Sequence, residues 1–112
     1  MKETKTLKLN RDFRRLYARG RSIASGYVVV YAMKNRLSYN RLGLTTGKTI
    51  GNAVRRNRAR RLMRESYAHI EGIIEQGYDI VIVARSRIAG KACPQVQRDL
   101  EYAMRKSGLL KE

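Results

Sequence analysis

Hydrophobic residues recur at intervals of three and four positions in three segments of the chain, and this spacing predicts helices. The three segments are 10–20, 52–75 and 94–108. Either Asn10 or Asp12 can cap the first helix, and Asn52 can cap the second. Pro94 is typical of the first turn of a helix and begins the third. The pattern therefore predicts a short helix near the start, a long one in the middle and a medium one at the end.

Strand-forming residues concentrate between the predicted helices. The segments dense in β-branched and aromatic residues are Tyr27–Met33, Arg41–Thr46 and Tyr78–Ala84. Lys48–Ile50, between two glycines, is either a loop or a short further strand. The near-continuous apolar run of Tyr78–Ala84 indicates burial on both faces. The order αβββαβα predicts an α+β fold, an α/β sandwich in which three helices pack on a small, mostly antiparallel sheet of four strands.

The length and the cysteine content narrow the picture further. The 112 residues accommodate one hydrophobic core, so we expect a single domain, 1–112. Residues 1–9 alternate Lys, Thr and Leu without a helical period, which predicts a flexible basic arm. No apolar run approaches the ~20 residues of a membrane span, and the first ten residues lack a signal-peptide core. One cysteine, Cys93, fits a reducing compartment, and we expect a cytoplasmic protein.

Charge is the strongest signal in the composition. The chain has 25 Lys and Arg against 9 Asp and Glu, a formal net charge of +16. No acidic residue occurs between Phe13 and Arg64. Self-repulsion on this scale opposes folding and is seldom kept without a polyanionic partner. The composition therefore predicts a protein that binds nucleic acid.

The second predicted helix separates an apolar face from an arginine face. The residues of its apolar face fall within an arc of roughly 140°, and they are Ala59, Leu62, Met63, Ser66, Tyr67, Ile70, Ile73 and Ile74. Asn57, Arg60, Arg61 and Arg64 lie on the opposite side, with Arg58 beside them. An ordinary solvated face mixes signs, whereas like charges at i, i+4 cost a helix about 0.2–0.5 kcal/mol per pair. This departure predicts a functional surface that binds phosphates through guanidinium groups.

The start of this helix carries a recognisable motif. The run Gly51-Asn52-Ala53-Val54 is followed by Arg-Arg-Asn-Arg-Ala-Arg-Arg. The segment Lys48–Glu65 closely resembles the signature helix of the bacterial ribonuclease P protein subunit. The resemblance covers essentially the whole chain, because Asn10–Gly20, Arg41–Leu44 and Tyr78–Arg85 are similar to other conserved segments of that family.

This resemblance implies a role in tRNA processing. In that family a large catalytic RNA removes the 5′ leader of precursor tRNA by metal-assisted hydrolysis, and the protein is an obligatory subunit without a catalytic centre. The implied partners are the ribonuclease P RNA, bound 1:1, and precursor tRNA. The implied cofactor is Mg²⁺, held through the RNA and the RNA–protein interface, with no organic cofactor. The family fold also has a left-handed β-α-β crossover, where general physics favours the opposite hand.

The resemblance assigns two binding surfaces. Residues implied to contact the catalytic RNA are Lys48, Asn52, Arg55, Arg56, Asn57, Arg58, Arg60, Arg61 and Arg64. Residues implied to form a cleft for the single-stranded leader are Phe13, Tyr17, Tyr31, Arg14 and Lys34. Aromatic rings do provide stacking platforms for any base. On the residues alone, however, Phe13 and Tyr17 beside Leu16 more often indicate ordinary core packing.

Other functions stay open on the residues alone. A basic structural RNA-binding protein of the ribosomal type has the same size and charge. A DNA-binding helix-turn-helix protein would need two adjacent short helices and a mixed recognition face. A self-sufficient nuclease needs clustered carboxylates or histidines, but the acids are sparse and His69 is the single histidine. We therefore expect neither catalytic nor metal-ligating residues in the protein.

Overall fold

Five strands and three α-helices make up the computed structural model, which describes residues 3–111. In chain order they are β1 (Lys5–Thr6), α1 (Asn10–Arg19), β2 (Arg21–Ala24), β3 (Val28–Lys34), β4 (Arg41–Thr45), α2 (Ala53–Ile70), β5 (Tyr78–Ala84) and α3 (Cys93–Lys106). Short 3-10 helices occupy Lys48–Ile50, Glu71–Ile73 and Ser86–Ile88. None of the helices in this part of the chain is long and apolar enough to cross a membrane.

The strands form one mixed sheet in the order β1-β4-β5-β3-β2. The two pairings on the β1 side, β1–β4 and β4–β5, are parallel, while β5–β3 and β3–β2 are antiparallel. The α+β class and the three helices are therefore confirmed, whereas the predicted count of four strands is wrong, because the sheet is mixed and has five. Helix α2 makes the crossover between parallel β4 and β5. Its left-handedness stays a prediction from the resemblance.

The start of the chain is tied to the sheet. The amide of Lys5 donates to the carbonyl of Asn40 at 2.9 Å, and the amide of Leu7 donates to Leu42 at the same distance. The side chain of Leu7 is buried. The prediction of a flexible arm over residues 1–9 is thus wrong for residues 3–9, because the edge of β4 supplies backbone partners that a local pattern cannot reveal. Residues 1 and 2 lie outside the described part of the chain.

Two hydrophobic clusters lie on opposite faces of the sheet. Helices α2 and α3 cover one face, where residues such as Val30, Ile82 and Leu100 are fully buried. Helix α1 covers the other face, where Leu16 packs with Leu7 and Val81. Strand β5 contributes to both clusters, which confirms its predicted burial on both faces. The sheet separates α1 from α2, so the outer surfaces of the two helices lie on opposite sides of the sheet. The β4 edge of the sheet runs between these two surfaces.

Several helix ends differ from the sequence-based expectation. Asn52 caps α2 as predicted, and its Oδ1 accepts from the amide of Arg55 at 3.0 Å. The α-helix ends at Ile70, and a 3-10 turn then leaves Ile73 exposed, so Ile73 does not belong to the buried face. Helix α1 has no side-chain cap, since Asp12 is buried and binds Arg15 instead. Lys48–Ile50, predicted as a loop or strand, is a 3-10 helix.

One buried hydrogen bond joins the start of the chain to α2. The hydroxyls of Thr4 and Tyr67 lie 2.8 Å apart, and both residues are buried. Burial raises the pKa of Tyr67, so its hydroxyl stays protonated near neutral pH and remains able to form this bond.

We predict that Tyr67→Phe lowers the free energy of unfolding by about 1–2 kcal/mol, because the buried Thr4 hydroxyl loses its partner. Denaturant unfolding measures the change. Hydrogen exchange at the Lys5 and Leu7 amides should also accelerate, since β1 is then held less firmly. The double variant with Thr4→Val should cost no more than Tyr67→Phe alone. Full additivity of the two substitutions would show that the hydrogen bond contributes nothing.

Candidate nucleic-acid interface

The buried face of α2 determines which of its side chains reach solvent. Its buried residues are Ala59, Leu62, Met63, Ser66, Tyr67 and Ile70. They pack against the sheet and α3 as part of the main hydrophobic cluster. An α-helix has only one rotation that buries this stripe, so the opposite residues necessarily face outward. The predicted separation of an apolar and an arginine face is therefore confirmed, with the exception of Ile73.

Neutral groups of the protein orient several arginines of α2. The guanidinium of Arg60 donates to Thr46 Oγ1 at 2.9 Å and to Asn57 Oδ1 at 3.2 Å. That of Arg56 donates to the carbonyl of Gly51 at 3.0 Å. A neutral acceptor fixes the direction of a guanidinium group without cancelling its charge. These side chains thus keep their positive charge available for an external anion.

Only one carboxylate approaches an arginine of α2 within residues 3–111. Glu65 Oε1 lies 3.9 Å from Arg61 Nε, and the two side chains are 52% and 72% exposed. Exposed pairs at this distance are weak and screened by salt. The positive potential of this face is therefore essentially unquenched by the protein.

The arginines surround an open groove of about 630 Å³ on the outer face of α2. Its lining residues are Val54, Asn57, Arg58, Arg60, Arg61 and Arg64. Arg55 and Lys48 lie exposed at and before the first turn of the helix, next to this groove in sequence. Asn52 is also exposed, but its side-chain oxygen is already used to cap α2. We call the set of arginines on α2, Arg55 to Arg64, the arginine face.

Three aromatic side chains come together on the opposite side of the sheet. The ring centroids of Phe13 and Tyr17 lie 6.5 Å apart, and those of Tyr17 and Tyr31 lie 4.9 Å apart in a near-perpendicular arrangement. Tyr17 is 42% exposed, and its hydroxyl hydrogen-bonds Thr45 Oγ1 at 2.9 Å. Phe13 and Tyr31 are half-buried. We call these three rings the aromatic cluster.

Gly43 makes room for this cluster. A Cβ atom at Gly43 would lie 2.5 Å from Phe13 Cζ, closer than any side chain allows. The Phe13 ring therefore packs directly on the backbone of β4. This contact supports the core-packing interpretation for the part of the Phe13 ring that lies against β4. The exposure of Tyr17 does not support that interpretation for Tyr17.

Arg14 and Lys34 take different positions around α1. Arg14 is exposed and follows Phe13 on the helix. Lys34 lies about 10 Å along β3 from Tyr31, given the rise of a strand. It lines a pocket of about 340 Å³ together with Arg15, Arg19 and Arg36, on the other flank of α1 from the aromatic cluster. Lys34 is therefore not brought into contact with the aromatic rings.

An ion pair closes the base of that pocket. Arg41 donates through Nε and Nη2 to the two carboxylate oxygens of Asp79, at 2.8 and 2.6 Å. This hydrogen bonding raises the pKa of Arg41 above its ordinary value. Arg15 likewise donates to Asp12 at 2.7 Å. Part of the positive charge predicted around α1 is thus already neutralised, which composition alone could not reveal.

A small pocket connects the aromatic cluster to the arginine face. Its volume is about 220 Å³, and Phe13, Gly43 and Leu44 line it together with Arg60 and Arg64. The two surfaces assigned by the resemblance are therefore contiguous at the β4 edge. Sequence reasoning missed this connection because residues 13 and 60 belong to elements that only the sheet topology brings together.

The described part of the chain contains no cluster of side chains that could bind a metal ion. No three His, Cys, Asp or Glu side chains come together there as a group that could hold an ion. His69 Nδ1 lies 2.8 Å from Gln97 Oε1 and 3.9 Å from Cys93 Sγ, which makes a local polar contact between α2 and α3.

Comparison with known proteins gives a consistent result. The family model described as Ribonuclease P matches residues 1–108. The chain is 40% identical over 110 residues to the ribonuclease P protein component of Alkaliphilus metalliredigens, covering 98% of this chain and 99% of that protein. It is 47% identical over 83 residues to that of Clostridioides difficile, covering 73% of each.

Solved structures agree with the sequence comparisons. The Staphylococcus aureus RNase P protein superposes with a TM-score of 0.85 at 33% identity, covering 95% of this chain and 97% of that one. The Thermotoga maritima RNase P protein superposes with a TM-score of 0.81 at 32% identity, covering 90% and 96%.

We predict that Arg61→Ala combined with Arg64→Ala weakens binding to a bacterial ribonuclease P RNA. The log–log dependence of affinity on salt should flatten by roughly one unit for each phosphate that is no longer bound. Filter binding at several salt concentrations measures this slope. Arg98→Ala combined with Arg105→Ala removes the same charge from exposed positions on α3 and serves as the matched control. Equal slopes for the two double variants would remove the arginine face from the interface.

Proposed function

The chain belongs to the ribonuclease P protein family and is thus a protein subunit of the ribonucleoprotein endoribonuclease that matures tRNA 5′ ends. From this premise we propose which RNA each of its two surfaces binds. The arginine face of α2 binds the ribonuclease P RNA. The aromatic cluster beside α1 binds the 5′ leader of precursor tRNA. The observation that carries the proposal concerns the arginine face. Neutral acceptors orient its guanidinium groups, a single weak carboxylate contact leaves its charge largely intact, and one pocket joins it to the aromatic cluster.

The arginine face suits a folded RNA. Its groove is open and lined by four arginines, whose planar guanidinium groups can each bond two phosphate oxygens or stack on an exposed base. Thr46 and Asn57 hold Arg60 in place, so less side-chain entropy is lost on binding. We expect one RNA molecule per protein, because the chain presents one such face.

The aromatic cluster suits a single strand. Tyr17 and Tyr31 expose parts of their rings at right angles to one another, and a base stacked on an aromatic side chain contributes about 1–3 kcal/mol without sequence preference. Arg14 beside the cluster and Arg60 and Arg64 across the connecting pocket can hold the leader's phosphates. Lys34, on the other flank of α1, can reach only a strand that continues past Tyr31.

Mg²⁺ would belong to the RNA in this arrangement. The described residues do not fit a magnesium site of their own, since no cluster of carboxylate ligands is present among them. We therefore propose that the phosphates of the RNA hold the ion. The positive charge of this chain would contribute by drawing the RNA and the precursor together.

We predict that the purified protein alone leaves precursor tRNA uncut, and that adding a bacterial ribonuclease P RNA produces cleavage at low Mg²⁺. The reason is that the described chain offers cations and rings but no group of three or more side chains that could hold a metal ion. Gel analysis of end-labelled precursor measures the product. The RNA alone at the same Mg²⁺ is the control, and removal of the 5′ leader by protein and Mg²⁺ without RNA would contradict the subunit mechanism.

We predict that Tyr17→Ala lowers the affinity of the holoenzyme for precursor tRNA about 10-fold, by removal of one stacking platform. Affinity for mature tRNA, which has no leader, should change little. Tyr17→Phe keeps the ring but loses the bond to Thr45, so it should bind like the unsubstituted protein. Tyr102→Ala removes another exposed tyrosine, from α3, and is the control for aromatic loss. If Tyr17→Ala affected both tRNAs equally, the leader assignment would be wrong.

A further inference from the structure

Another pocket lies at the start of α2, between that helix and the segment that follows β5. Its volume is about 470 Å³, within the range of small-molecule sites. Ile50, Ala59 and Ile88 form its floor, and each is at most 5% exposed. Arg55 and Arg58 stand at its rim, opposite the backbone of Ala89 and Gly90. None of the residues around this pocket is acidic.

Arg58 is fixed at this rim. Its Nη2 donates to the carbonyl of Lys91 at 3.2 Å, so the guanidinium spans from α2 to the loop after β5. The ammonium of Lys91 itself lies 5.3 Å from the centre of the Tyr27 ring, and neither of these residues lines the pocket. The pocket therefore combines an apolar floor with the planar guanidinium group of Arg58 at its rim.

Arg55 approaches from the other side. A Cβ atom at Gly51 would lie 2.8 Å from Arg55 Cδ, which shows that the arginine side chain lies against the glycine backbone. Gly51 has a φ of +126°, a conformation that side-chain-bearing residues rarely adopt. Gly51, which directly precedes the Asn52 cap of α2, thus permits the position of one rim arginine.

We propose that this pocket receives one unpaired nucleobase of the ribonuclease P RNA, turned out of its stack and held between the apolar floor and the guanidinium of Arg58. Proteins that recognise folded RNA commonly stack such a base on an arginine plane. An apolar floor alone would suit many ligands. Two arginines without a neighbouring carboxylate favour an anionic ligand. A nucleotide meets both requirements, because it combines a flat ring with a phosphate.

The occupant follows from the position of the pocket. Arg58 lines both this pocket and the groove of the arginine face, so an RNA in that groove reaches the pocket within one nucleotide or two. The aromatic cluster, in contrast, contributes no lining residue to this pocket. This inference rests on the proposed function of the arginine face and adds a base-recognition site to it.

The pocket can be filled without touching the core. Ala89 is exposed at its rim, and Ala89→Leu places a larger apolar side chain into the opening. Affinity for the ribonuclease P RNA should fall about 10-fold, as expected for loss of one stacked base. The salt dependence should stay unchanged, because every phosphate remains bound. Ala92→Leu adds the same side chain at an exposed position outside the pocket and should bind normally.

A second variant and a mapping experiment keep the test specific. Arg58→Lys retains the charge but not the plane, so it should reproduce most of the loss with the same salt slope. Chemical probing of the bound RNA should show one unpaired nucleotide whose reactivity differs between the unsubstituted protein and Ala89→Leu. Thermal unfolding of each variant, with an unchanged midpoint, establishes that the fold is intact.

The outcomes separate this inference from the proposal beneath it. Normal RNA affinity and probing for Ala89→Leu, alongside a reduced slope for Arg61→Ala with Arg64→Ala, would overturn the base pocket alone. Normal binding by both sets of variants would overturn the arginine face as well. Weakened binding with a reduced salt slope for Ala89→Leu would also count against a stacked base, since it would indicate that a phosphate is no longer bound.

Discussion

Burial of one stripe of α2 against the sheet is the constraint on which the arginine face depends. Leu62, Met63, Tyr67 and Ile70 are all buried, and each large apolar side chain contributes about 1.5–3 kcal/mol when it leaves water. Repulsion between arginines on the opposite side costs only about 0.2–0.5 kcal/mol per neighbouring pair. The hydrophobic term is much the larger, so the helix can hold an unfavourable row of like charges in a fixed orientation. The free energy that the arginines lose in the isolated protein is recovered when a polyanion binds.

The β4 edge turns two separate surfaces into one. Thr46, which directly follows β4, accepts a hydrogen bond from Arg60, and Gly43 within β4 lets Phe13 pack on the strand's backbone. One short strand therefore positions a cation of the arginine face and a ring of the aromatic cluster. Because both contacts are made to the same rigid element, the spacing between the arginine face and the aromatic cluster is set before any ligand arrives.

Much of this arrangement could be predicted from sequence, and the exceptions have identifiable causes. The helical period and the Asn52 cap predict the arginine face, because the information for a helix surface is local. The same reasoning misses the two parallel pairings and the strands β1 and β2. β1 has two residues and β2 contains one large apolar residue, Ile23, so neither carries a readable alternation. Their stability comes from backbone partners on β4 and β3 that are distant in sequence. The cleft residues came from family resemblance, and the separation of Lys34 from the rings required the three-dimensional fold.

The electrostatics show why a charge count is a poor guide to a binding surface. Around α1 the carboxylates of Asp12 and Asp79 bind Arg15 and Arg41, so cations that look free in the sequence are partly neutralised. Around α2 the acceptors are a hydroxyl, an amide oxygen and backbone carbonyls, which orient the guanidinium groups and leave their charge intact. The chemical identity of the acceptor therefore distinguishes an arginine that stabilises the fold from one that is held ready for a phosphate. By this criterion the arginine face, rather than the basic pocket beside α1, is the surface that we propose binds the phosphates of the RNA.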